Sequence, residues 1–119
     1  MGTRRKSQEQ VNCYLDAIRP ILSSQELADH MDTSNFSTRR WLQDEGGPGT
    51  WQGVNKLGEL AATITFLRTE LDFDEKDTKD HLTSIFIDPD TYQPTTMMDQ
   101  INSGNCSMVI QTAIEISIE

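Results

Sequence analysis

The chain has 119 residues, 24% of them charged and 35% hydrophobic, with a formal net charge of -9. That length supports one compact domain or two small lobes sharing a core. No stretch reaches the roughly twenty apolar residues needed to span a bilayer, so a soluble protein without membrane contact is expected.

The charge opposes contact with nucleic acid overall, but it is unevenly spread. Residues 1–45 carry six Lys/Arg against seven Asp/Glu, and residues 46–119 carry four against twelve. A near-neutral head can approach DNA, especially as a dimer. The acidic remainder suits a basic protein partner, or serves only solubility.

The first residues, MGTRRKSQEQ, are basic but lack the apolar run of a signal peptide, so export is not expected. Lys6 stands where an acylation pattern needs Ser or Thr. Val11, Leu15 and Ile18, with Tyr14 beside them, recur at three and four. That spacing predicts a helix over residues 8–19, stopped near Pro20.

Residues Ser23 to Leu42 carry most of the functional information. Ser23 and Glu26 have capping-box spacing and should start a helix whose apolar face is Leu27, Ala28 and Met31. Ala28 is small enough to let another helix cross close by. Asp32, Thr33 and Ser34 supply turn chemistry, because their side chains bond nearby backbone better outside a helix than within one. A second helix over about Asn35 to Gln43 follows, with Phe36 and Trp41 expected to anchor it inward. Its exposed side then carries Asn35, Arg39 and Arg40, with Ser34 and Ser37 at its leading end. Those five residues are the candidate DNA contacts, being types that reach phosphates and base edges. Glycine usually opens such a turn and branched apolar residues fill two positions, where this chain has Asp32, Thr33 and Thr38. Two core helices joined by a tight turn give much the same pattern.

The segment DEGGPGTWQG, residues 44–53, reads as a loop or hinge. Val54, Leu57, Leu60, Ala61, Ile64, Leu67 and Leu71 predict a long amphipathic helix over residues 54–71. Asp74 is positioned to cap a short helix over residues 75–83. An EF-hand loop starting at Asp72 fails, since its sixth and twelfth places hold Asp77 and Thr83 where glycine and glutamate are required. Asp88, Pro89 and Asp90 mark a turn. Pro94 or Thr95 should begin a short helix bearing Met97, Met98 and Ile101, ended by Gly104. The last segment is ambiguous: Met108, Val109, Ala113 and Ile116 fit helical spacing, while Ile114, Ile116 and Ile118 alternate with Glu115, Ser117 and Glu119 as a strand would. A helix to about Glu115 with an extended tail reconciles the two.

Catalysis, metal and cofactor find little support. His30 and His81 lack a partner at motif spacing and are expected on helix surfaces. No nucleophile elbow or phosphate-cradling loop is present, and GGPG at residues 46–49 lacks the lysine such a loop needs. Cys13 and Cys106 are expected to be buried thiols in a reducing cytoplasm.

From Leu57 onward the order LGELAATITFL, an acid-started helix ending in HLTS, an aromatic and proline in YQP, then MMDQINSG and a final apolar segment resembles the antitoxins of the Xre/MbcA/ParS type. The resemblance covers roughly residues 8–116 and is most specific at Pro94, Met98, Ile101 and Gly104. It departs at His81, where the family usually has Trp, and at Gln93, where it usually has Thr. It implies a homodimer whose helix-turn-helix head binds and represses its own promoter. It also implies that the C-terminal domain neutralises a RES-type toxin that consumes NAD. The candidate partner-binding residues are Met97, Met98, Ile114, Glu115, Ile116 and Glu119; if the toxin holds the NAD phosphates through basic residues, the two glutamates would compete for them.

The expected fold is all-α: a helix-turn-helix domain over residues 1–45, a Gly/Pro-rich hinge over 46–53, and an acidic helical partner-binding domain over 54–119. Two other functional readings stay open. One is a stand-alone DNA-binding regulator of phage or excisionase type, which STRRWLQDEGGPG also resembles. The other is an interaction module that does not bind DNA.

Overall fold

A computed structural model describes residues 8–118. Among them the chain is mostly helical, with α1 (Gln8–Ile18), α2 (Ser24–Met31), α3 (Asn35–Trp41), α4 (Trp51–Thr69), α5 (Glu75–Thr83), α6 (Met97–Asn102) and α7 (Cys106–Ile118). Its one sheet pairs β1 (Phe86–Ile87) with β2 (Pro94–Thr95), antiparallel, Phe86 opposite Thr95. Two compact units divide inside α4, between Ala62 and Thr63.

In the first unit, α1 buries Val11, Leu15 and Ile18, the face its spacing predicts. Cys13 lies two positions from both Val11 and Leu15, about 200° round the helix, and is exposed rather than buried. The capping box at α2 forms as expected: Glu26 N–H donates to Ser23 Oγ at 3.2 Å and Ser23 N–H donates to Glu26 Oε1 at 2.8 Å. His30, expected on the surface, is buried with Leu27 and Ala28 because it stands three residues from Leu27 on the same face.

The Gly/Pro segment belongs to this first unit. Gly46 C=O accepts from the Gln8 side chain at 2.9 Å, and a Cβ on Gly47 would come within 2.8 Å of Val11 Cγ1. The segment is therefore fastened to α1. Helix α4 starts three residues earlier than its apolar pattern suggests, because the Thr50 hydroxyl accepts from Gly53 N–H at 3.0 Å and caps it. Val54, Leu57, Leu60, Ala61, Ile64 and Leu67 are buried along α4, as their spacing predicts.

In the second unit Asp74 caps α5, accepting from Asp77 N–H at 2.7 Å. Pro94 and Thr95 form β2 instead of opening a helix. Thr96 caps α6, its hydroxyl accepting from Asp99 N–H at 3.2 Å. Gly104 follows α6 at φ 86°, a conformation costly for residues with a Cβ, and its N–H returns to Ile101 C=O. Buried Gln100 ties the unit together: its Nε2 donates to Asp88 Oδ2 (3.3 Å) and Thr95 Oγ1 (3.2 Å), and its Oε1 accepts from Asn105 Nδ2 (2.8 Å).

The extended tail is not observed, since α7 continues to Ile118. A helix satisfies its backbone groups locally, whereas an isolated strand has to find a free sheet edge. Cys106, expected to be buried, is only partly so at the start of this helix. Glu119 and the basic residues Arg4, Arg5 and Lys6 lie outside the described residues.

Candidate functional site

The two-helix segment of the first unit is locked by its turn and by hydrogen bonds across it. Asp32 takes the left-handed conformation, φ 56° and ψ 50°, and the N–H groups of Asp32 and Thr33 both turn back to Ala28 C=O. This is the position where glycine is usual, for the reason that a Cβ is disfavoured there. Ser34 then caps α3, its hydroxyl accepting from Ser37 N–H and donating to Ser37 Oγ, both at 3.1 Å.

Thr38, at one of the positions usually held by a branched apolar residue, is fully buried. Its hydroxyl donates to Ser24 C=O at 2.7 Å, so a polar branched residue fits without an unmet donor. Asn35 is half-buried and its Oδ1 accepts from Ser24 Oγ at 2.6 Å. Of the expected DNA contacts, Asn35 is thus engaged in holding α3 on α2, and Ser34 and Ser37 in closing the first turn of α3.

Those same bonds orient α3. Asn35, Thr38 and Trp41 recur at three and face inward, with Trp41 buried as expected. Phe36 does not anchor the helix: it is 71% exposed, on the side opposite Thr38. Arg39 and Arg40 stand three and four residues beyond Phe36 and are also exposed. The Arg40 guanidinium lies over the Phe36 ring, 6.0 Å from its centroid, and its Nε is 3.7 Å from Glu45 Oε1. Arg39 has no ion pair among the described residues. The outer surface of α3 is therefore an aromatic ring flanked by two cations.

Arg19 fixes the far end of this helix. Its Nε and Nη2 donate to Leu42 C=O at 3.1 and 2.9 Å, and it pairs with Asp16 and with Asp44. The hydrogen bond to Asp16 raises its pKa above the usual guanidinium value, with Asp44 adding in the same direction. A cation here also opposes the negative end of the α3 dipole.

A second feature lies in the other unit. Helix α5 lines one side of a groove of about 720 Å³ with Asp77, Asp80, His81 and Ser84, and α7 lines another with Met108, Thr112 and Ile116. Phe73, Phe86 and Met97 complete the lining. The His81 ring meets Phe73 edge-on at 5.9 Å, and its Nε2 is 3.2 Å from Val109 C=O. Of the expected partner-binding residues, Ile116 and the buried Met97 both line this groove, whereas Met98, also buried, and Ile114, half-buried, do not. Glu115 is exposed on α7. Phe73, His81 and Phe86 were not anticipated, since they come from separate elements and no sequence spacing joins them.

No helix among the described residues is long and apolar enough to cross a membrane. No protein-family model, curated protein or solved structure matches the chain.

Proposed function

We propose that the chain is an antitoxin-like transcriptional regulator: a homodimer that binds its own promoter through α3 and neutralises a partner toxin through its acidic second unit. The observation that carries the DNA half is the outer surface of α3, where Phe36, Arg39 and Arg40 are all exposed on a helix held at both ends. Arginines reach phosphates and guanine edges, and an exposed phenylalanine suits a thymine methyl. The protein-partner half is supported by the acidity of residues 46–119 and by the resemblance of its element order to Xre/MbcA/ParS-type antitoxins. A RES-type toxin follows from that resemblance, and a cytoplasmic setting is the one in which two unpaired thiols persist.

Affinity capture of the tagged chain from its native cell, with identification of protein and DNA in one sample, tests the reading. Recovery of a stoichiometric small enzyme together with the chain's own promoter is the expected result. Recovery of DNA alone points to a stand-alone regulator, and a protein partner without DNA leaves α2 and α3 as scaffold. Truncation after Ala113 should abolish neutralisation while sparing DNA binding.

A further inference from the structure

We propose that the groove between α5 and α7 is a docking site for a basic amphipathic helix of a protein partner. The inference rests on the protein-partner half of the function proposed above and is independent of its DNA half.

The geometry is that of a helix receptor. Asp77, Asp80, His81 and Ser84 follow one another at three and four along α5, and Met108, Thr112 and Ile116 follow at four along α7. Each set is one stripe of its helix, so the groove is lined by a row of side chains from each. An amphipathic helix presents its own apolar residues at the same three-and-four spacing and fills such a trough row by row. Ile116 is 53% exposed at one end of the α7 stripe, which leaves apolar surface for a partner to cover.

The chemistry of the lining differs between its two sides. His81 Nε2 is occupied by Val109 C=O, and the Thr112 hydroxyl donates to Met108 C=O at 2.9 Å. The carboxylates of the lining, Asp77 and Asp80, stand on the α5 side, while the α7 side offers shape and apolar contact.

Charge then chooses among helical occupants. The α5 bank carries two carboxylates. Asp80 is shared with Lys76 at 2.8 Å, and Asp77 makes no ion pair among the described residues. Residues 63–119 as a whole hold three Lys/Arg against eleven Asp/Glu. A second copy of this unit would bring like charge to like charge, whereas a helix with Lys or Arg beside its apolar row is attracted along the α5 bank.

The full chain, labelled at its methyl groups, would be titrated with a Leu/Lys amphipathic helical peptide of about 18 residues and with a Leu/Glu peptide of the same apolar spacing. The Leu/Lys peptide is expected to shift the Met97, Met108 and Ile116 methyl resonances, and the Leu/Glu peptide to leave them in place. Ile116→Ser, which keeps the charge and alters an exposed position, should weaken binding about tenfold. Thr112→Trp, which fills the groove, should do so as well, and Asp77→Asn should weaken binding and flatten its salt dependence. The amide spectrum of each variant reports that it is folded. Equal binding of the two peptides, shifts confined to other residues, or unchanged affinity in both Ile116→Ser and Thr112→Trp would overturn the proposal. So would concentration-dependent shifts of these methyls without peptide, which would make a second copy the occupant. None of these outcomes touches DNA binding, and a partner captured by another surface leaves the antitoxin reading standing while removing the groove.

Discussion

Arg40 is held between two neighbours, the exposed ring of Phe36 beneath its guanidinium and the Glu45 carboxylate 3.7 Å from its Nε. Both partners are solvent-exposed, so the arrangement contributes little to stability. Its consequence is for binding: the Glu45 carboxylate beside Arg40 would repel an approaching phosphate and compete for the guanidinium, whereas Arg39 has no ion pair among the described residues. Glu45→Gln is therefore expected to tighten binding to duplex DNA, and Phe36→Ala to loosen it through lost apolar contact. Fluorescence anisotropy with a labelled duplex distinguishes the two directions. Weaker binding by Glu45→Gln would show that the carboxylate positions Arg40 for DNA instead of competing with it.

The turn between α2 and α3 makes its own prediction. Asp32 holds φ 56°, where a β-branched residue is strongly disfavoured. Asp32→Val should destabilise the protein by about 1–2 kcal/mol, while Asp32→Gly should be neutral or stabilising. Urea unfolding midpoints at constant slope give both values.

Gln100 is buried and bonded to Asp88, Thr95 and Asn105, residues from three different segments. Removing its amide leaves those groups partly unmet inside the unit. Gln100→Ala should cost about 1–3 kcal/mol, and hydrogen exchange should quicken around β2 and the start of α7 before it does so in α1. A loss below about 0.5 kcal/mol would mean that solvent replaces the glutamine freely.

Removing the N-cap at α2 by Ser23→Ala should cost about 1 kcal/mol, since Ser23 both caps Glu26 N–H and is capped in return. Thermal unfolding of the variant beside the parent chain measures it.

What was legible in the sequence is what local chemistry decides. The caps at Ser23 and Asp74, the stop at Gly104 and the apolar faces of α1 and α4 all depend on residues within about one or two turns of each other. Phe36 faces outward, against expectation, because a helix of seven residues has too little periodicity to fix its buried face; Asn35 and Thr38 fix it by bonding to Ser24, eleven and fourteen residues away. The alternation of Ile114, Ile116 and Ile118 misled for a related reason. A strand pattern is informative only where a partner edge exists, and α7 instead buries Val109 and Ala113, four apart.

Of the candidate sites, the arginine pair was visible as sequence and the groove was not. Arg39 and Arg40 are adjacent on one short helix, while Phe73, His81, Phe86 and Met108 meet only after four segments have folded together.

On the function proposed above, α3 carries the protein onto DNA. The most direct test is the affinity of the full chain for a duplex taken from upstream of its own coding sequence, measured across a range of salt concentrations beside Arg39→Ala. Wild-type binding should fall steeply with salt, and Arg39→Ala should bind more weakly with a slope reduced by about 0.9, the value for one lost phosphate contact. Identical affinity and slope in the two proteins, or no salt-dependent binding to that duplex by either, would contradict the account.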